Sequence, residues 1–236
     1  EAHCNIFLRA LDTFLGATQL RWSHYEGWKR RMTYDIYRKS PNDTFKLLAT
    51  LNGNSNVYID DSLCDINYCY YVVCNHPNGV WESQSNFACN IPKVEKAAAA
   101  PIVDYITVRN NSYAEIKWHM LPNKATISHY TLYRNDGITT TRGKKVDTTQ
   151  ARFIYADYSS EVEKTPYTYR VTAEDICGYE SDLSIPSNSI FLQGKNTNDT
   201  VAIEWNPYIY WSKGVKEYHI EMRDNQGEMK YLDKVA

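Results

Sequence analysis

Apolar residues recur at every second position along this chain, and the same alternation returns three times. Leu20 and Trp22, Ile116 and Trp118, and Ile203 and Trp205 each flank one polar residue. A period of two marks a strand with one face in a core and the other in water. Each of these strands is followed by a second one in a shared frame. The three read Tyr34-Asp35-Ile36-Tyr37-Arg38, Tyr130-Thr131-Leu132-Tyr133-Arg134 and Tyr218-His219-Ile220-Glu221-Met222. From Trp to Tyr the spacing is 12, 12 and 13, and successive Trp residues lie 96 and 87 apart. The repeating unit is therefore a whole domain, not the rung of a solenoid. Tyr68, Tyr70, Val72 and Cys74 alternate in the same way, as do Tyr167, Tyr169, Val171 and Ala173. Asn78-Gly79, just ahead of Val80-Trp81, predicts a two-residue hairpin turn. Short strands, frequent turns and no amphipathic helix predict β-sandwiches.

The pattern resembles a fibronectin type III domain repeated in tandem. That resemblance implies an all-β fold of tandem fibronectin type III (immunoglobulin-like) β-sandwiches, the last one incomplete. Domain 1 is expected over residues 1–92, a linker over 93–100, domain 2 over 101–193 and the N-terminal part of domain 3 over 194–236. It also implies that Trp22, Trp118 and Trp205 are strand-B core anchors and that Tyr68 and Tyr167 are strand-F corner tyrosines. The third repeat stops before its F and G strands, so the native protein is expected to continue past residue 236. Ala97 to Ala100, lying between Pro92 and Pro101, are too few to nucleate a stable helix. Ser189-Ile190-Phe191-Leu192 runs straight into the third repeat, which predicts a stiffer second junction than first.

Further residues narrow the resemblance. Trp22, Tyr25 and Trp28 share a W-x-x-Y-x-x-W frame with Trp205, Tyr208 and Trp211. With Tyr68-Cys69-Tyr70, Ser85-Asn86-Phe87-Ala88-Cys89 and Asp175-Ile176-Cys177-Gly178, this is similar to arrays in gliding-motility-associated surface proteins of Bacteroidetes. Those proteins leave the cell by type IX secretion. The likeness implies a secreted or cell-surface location, reached through the periplasm, and protein or surface-glycan partners. Contact with the export machinery would run through a part of the protein outside this sequence. It further implies O-glycan acceptors at Ser62, Thr148 and Thr200, each preceded by Asp and followed by a small or aliphatic residue.

Composition bounds the rest. The 236 residues carry 26 Lys+Arg against 28 Asp+Glu, a formal charge of −2, which argues against a basic nucleic-acid surface. With 43% apolar and 14% aromatic residues the chain has ample material for a core. No apolar run reaches the length of a membrane span. Glu1 opens a mixed, acidic stretch, so any targeting segment is expected to have been removed.

Six cysteines stand at 4, 64, 69, 74, 89 and 177. None forms a C-x-x-C pair and no His sits at zinc-finger spacing, which disfavours a structural zinc site. A turn centred on Asn78-Gly79 sets Cys69 opposite residue 88, and one bulge would bring Cys89 into register. Cys69–Cys89 is thus the first expected bridge, clamping the F–G hairpin. Cys4–Cys64 is the second, tying the first strand to the E–F loop. The alternative is buried thiols, the reading that suits Cys74, and Cys177 has no evident partner. Disulfides would imply an oxidising compartment.

Catalysis finds no foothold. The six His residues form no metal-binding frame, and no nucleophile elbow, P-loop or dinucleotide fingerprint occurs. Asp60-Asp61 reads as a solvated corner more readily than a calcium site. Asp175, Glu180 and Asp182 lack EF-hand spacing. No cofactor or metal is expected, and the chain is read as non-catalytic. Recognition would fall to the aromatic B–C loops. Tyr25 and Trp28, and Tyr208, Tyr210 and Trp211, offer either a sugar-stacking platform or a lid over the open end of the sandwich. Lys29-Arg30-Arg31 reads as a solvated basic edge. Two function classes follow: a structural and interaction array, or a glycan- or adhesion-binding module. An accessory region of a large secreted hydrolase is a further alternative.

Overall fold

The computed structural model describes residues 3–14, 16–28, 32–94, 99–122, 126–150, 152–209, 211 and 214–236. Lys29-Arg30-Arg31, Tyr210 and much of the alanine tract lie outside them. Among the described residues all regular structure is β-strand. The chain divides into two compact units. The first comprises Glu1–Lys96, Lys124–Thr126 and Ile176–Gly178, and the second takes in the remainder.

The first unit is a sandwich of eight strands: β1 Leu8–Asp12, β2 Thr18–Trp22, β3 Thr33–Lys39, β4 Lys46–Asn52, β5 Val57–Asp60, β6 Tyr68–Asn75, β7 Glu82–Gln84 and β8 Ala88–Asn90. One sheet runs β1-β2-β5 and the other β4-β3-β6-β7, with β8 also on β6. The alternating residues meet between the sheets, where Leu20, Trp22, Tyr34, Ile36, Tyr68, Tyr70, Val72 and Cys74 are all buried.

The second unit holds β9 Ile102–Arg109, β10 Tyr113–His119, β11 Ile127–Asp136, β12 Lys144–Thr149, β13 Ile154–Asp157, β14 Tyr167–Asp175 and β15 Ser187–Asn188. Its sheets, β13-β10-β9 and β12-β11-β14-β15, repeat the order of the first sandwich. β15 is short because Ser side chains replace part of its ladder. Ser181, Ser184 and Ser189 each take a backbone N–H of β14 on the side-chain oxygen and return their own N–H to the same residue. Ser85 does the same for Val72 in the first sandwich.

The same unit continues into β16 Leu192–Thr197, β17 Thr200–Trp205, β18 Tyr218–Arg223 and β19 Met229–Val235. These form two separate hairpins, β16-β17 and β18-β19. Leu192, Val201, Met222, Tyr231 and Leu232 are exposed on them.

Two local features recur in all three repeats. The strand-B Trp meets the strand-C Tyr edge to face at 5.6 Å: Trp22 with Tyr34, Trp118 with Tyr130, and Trp205 with Tyr218. The strand-C pairing then slips by one residue at the same place, after Ile36, Leu132 and Ile220. A bulge there adds local twist to the ribbon. The third anchor differs in burial. Trp22 and Trp118 are buried, whereas Trp205 is only half-buried.

The F–G connection is wider than the two-residue turn expected from Asn78-Gly79. His76 N–H donates to Trp81 O across a four-residue loop, with Gly79 at a positive φ.

Burial decides what each anchor contributes. Trp22→Ala or Trp118→Ala should cost about 3–5 kcal/mol of stability. Trp205→Ala should cost well under half of that in chemical denaturation. Equal losses at all three positions would contradict this reading of the third repeat.

Candidate functional site

The most strongly organised polar groups sit between the sheets, one set per sandwich. In the first, Arg38 at the end of β3 donates through Nη1 to both carboxylate oxygens of Asp60 on β5, at 2.8 and 3.0 Å. Tyr70 on β6 donates its hydroxyl to Asp60 Oδ2 at 2.8 Å. In the second, Arg134 donates to Asp157 Oδ2 at 2.8 Å, and Tyr169 donates to the same oxygen at 2.8 Å. Ser159 adds a 2.6 Å bond to Asp157 Oδ1. Asp60 is 4% exposed and Asp157 1% exposed, so each carboxylate is held by its own partners and not by bulk water.

Chemically these clusters are complete. Burial by itself would raise the Asp157 carboxyl, but hydrogen bonds from Ser159, Arg134 and Tyr169 outweigh it and leave the pKa below the ordinary carboxylate value. Burial and then the adjacent carboxylates push the Tyr70 and Tyr169 phenols far above theirs. Burial works against the Arg38 and Arg134 guanidinium charges, yet their Asp partners hold both pKa values above the usual one. In the second cluster Arg134, Asp157 and Tyr169 thus each stay in one protonation state at neutral pH, the opposite of a poised acid or base.

Asp60 was expected at a solvated corner beside Asp61; it lies in the core. The signal was in the sequence as a shared Tyr-x-Asp, Tyr58–Asp60 and Tyr155–Asp157, between the Arg and the Tyr-x-Tyr. The same clusters place the corner tyrosines. Arg38 lies 5.6 Å over the Tyr68 ring and Arg134 4.9 Å over Tyr167. The Tyr68 and Tyr167 hydroxyls accept backbone N–H bonds from Cys64 at 3.4 Å and Glu161 at 2.9 Å.

The aromatic B–C loops are brought together within each frame, mostly inward. Tyr25 and Tyr208 are buried, so neither offers a platform to a ligand. Their backbone N–H groups donate to the strand-C tyrosines Tyr34 and Tyr218 at 2.8 and 2.9 Å. Tyr208 is part of the second unit's core, where its hydroxyl accepts from Ile106 N–H at 3.0 Å. Trp28 is half-buried between Tyr25 at 4.3 Å and His76 at 5.1 Å. Trp211 packs on Tyr208 at 4.4 Å with almost the same tilt, yet stays 42% exposed.

The cysteine pairing differs from expectation at one bridge. Cys69 and Cys89 are bonded. β6 pairs with β7 and β8 in registers one residue apart, so the slip falls between those two strands. The Cys4–Cys64 bridge does not form. The backbone pairs Cys4 with Glu26, beyond one end of β2, whereas Leu63 is held to Gly16, beyond the other. Cys64 is bonded instead to Cys177, in the segment Ile176–Gly178 of the first unit. Cys4 is an exposed thiol and Cys74 a buried one, its pKa pushed up to about 11 by burial.

Of the acidic residues considered for a cation, Glu180 is bonded to Arg142 at 2.8 Å. Ser62, Thr148 and Thr200 are all exposed.

The fold defines the class: all-β, with two antiparallel β-sandwiches of one strand order followed by two hairpins that repeat the Trp–Tyr contact. No protein-family model matches the chain, and no curated protein matches it. The FN1–FN3 domains of chicken CNTN1 align over 98% of this chain and 84% of theirs, at 14% identity and a TM-score of 0.38. Pectate lyase Pel3 of Pectobacterium carotovorum aligns over 41% of this chain at 24% identity in two crystal structures, with TM-scores of 0.33 and 0.32. This chain covers only 31% and 30% of those two enzyme chains.

The lowered Asp157 pKa sets a pH dependence. A carboxyl depressed in the folded state contributes fully above its unfolded value of about 3.9 and ceases to contribute as pH falls through the lower folded value. Asp157→Asn should therefore destabilise the second unit by about 3 kcal/mol at neutral pH, leaving Arg134 only the more distant Asp136, 3.7 Å from its Nε. It should also flatten the acid limb of the stability–pH curve. An unchanged acid limb in this variant would rule out the assigned role.

Proposed function

We propose that this chain is a non-catalytic structural and interaction array from a secreted or cell-surface bacterial protein. The observation that carries the reading is the use made of the polar interior. In both sandwiches the buried Asp, Arg and Tyr groups are consumed in binding one sheet to the other, and this set repeats with the fold. Their chemistry serves position, not turnover. Two disulfides support an oxidising compartment, as at a cell surface or in a periplasm. Among the described residues no helix is long and apolar enough to cross a membrane.

The finer assignment rests on the sequence resemblance: a type IX secretion cargo, gliding- or adhesion-associated, with protein or glycan partners. Ser62, Thr148 and Thr200 are the proposed O-glycan acceptors of that setting. Antibodies against this region should label intact cells of the source bacterium, and the labelling should disappear when type IX export is blocked. Labelling that needs permeabilised cells while export is intact would overturn the proposal.

A further inference from the structure

A groove of about 520 Å³ opens in the second unit. Its apolar wall is formed by Ile102, Val103, Leu183 and Ile185, and Trp211 lines it as well. At its rim stand Asp104 and His119, with His119 Nδ1 2.6 Å from Asp104 Oδ1. The volume lies in the range of small-ligand sites, about 300–1,000 Å³.

The indole is fixed in place by its own contacts. Its Nε1 donates to Asp104 O at 2.9 Å, and Tyr208 packs against it at 4.4 Å. The first sandwich shows the same Tyr–Trp pair, but there His76 closes on Trp28 edge to face at 5.1 Å. Of the two tryptophans in this frame, Trp211 is the one whose remaining surface opens onto a groove. Asp104 thus supplies both the backbone acceptor for the indole and a carboxylate at the rim, the latter held by His119.

The geometry points to a binding site for a neutral pyranose. A pyranose has a face of C–H groups that suits an indole and a rim of hydroxyls that needs both acceptors and donors. Trp211 provides the first. Asp104 and His119 provide the second, because each uses one side-chain atom on the other and, among the described residues, keeps a second available, Oδ2 and Nε2. The Asp104 carboxylate disfavours uronic acids and sulfated sugars. The apolar wall of Ile102, Val103, Leu183 and Ile185 suits a methyl or C–H edge better than a second charged group. This site differs from the sugar-stacking platform expected of the loops as a whole, since Tyr25 and Tyr208 are interior and Trp28 is covered.

The test uses the chain as it stands with three probes: methyl β-glucopyranoside, methyl β-galactopyranoside and methyl α-mannopyranoside. Saturation-transfer NMR titrations are run on wild type, Trp211→Ala and Asp104→Ala, with thermal melts of all three proteins. Saturable binding of at least one probe is expected, weakened about tenfold or more in each variant. Asp104→Ala should retain the wild-type melting temperature, because the bond to the indole comes from the backbone. That variant keeps the inference testable even if Trp211→Ala unfolds. Absence of saturable binding of all three probes to wild type would overturn the site, as would binding that Asp104→Ala leaves unchanged.

Discussion

The buried carboxylate of each sandwich is the constraint around which the rest is arranged. Asp60 and Asp157 stand at the ends of β5 and β13 in one sheet, and their partners reach across from the other. Hydrophobic contact between two sheets tolerates sliding; an ion pair with a tyrosine on the same oxygen does not. Removing water from such a pair is costly, and a matched apolar set can be as stable. What the cluster adds is registry. It fixes which residue of β3 faces which residues of β5 and β6, and likewise for β11 with β13 and β14.

The two hairpins of the third repeat keep the B–C geometry with no arginine at the matching place. Its strand C, β18, carries Met222 where the others carry Arg38 and Arg134. The Trp205–Tyr218 contact and the bulge after Ile220 are nevertheless present. The local geometry of strands B and C is therefore encoded within those strands. Here their B–C loop is fastened to the second sandwich. Asn206 donates to Ser189 O and accepts from Phe191 N–H, and Asn188 donates to Pro207 O. The short Ser189–Leu192 connection puts these partners within reach of one another, and no charged pair is needed at that join.

How much of this could be read from the chain follows from what each signal measures. Period-two alternation reports which side chains face a core, and it located Trp22, Trp118, Tyr70 and Tyr169 without ambiguity. It says nothing about a polar residue that enters the core already paired, so Asp60 was read as a corner. The Cys69–Cys89 pair was legible because a hairpin turns sequence distance into register. Cys64–Cys177 was not, since a bridge across 113 residues depends on tertiary placement alone. The W-x-x-Y-x-x-W frame was plain in two repeats, but its inward and outward tyrosines and tryptophans look identical in sequence. Only the neighbours, His76 for Trp28 and an open groove for Trp211, tell them apart.

The central claim is that the buried polar set works as one structural unit across the two sheets. A double-mutant cycle on Arg134→Met and Asp157→Leu, followed by chemical denaturation, addresses it most directly. Met is the residue the third repeat carries at that place. Each single change should cost about 3–5 kcal/mol, and the double variant should lose about 1–3 kcal/mol less than the two single losses summed. Additive losses, with no recovery in the double variant, would show that Arg134 and Asp157 act independently and would contradict it.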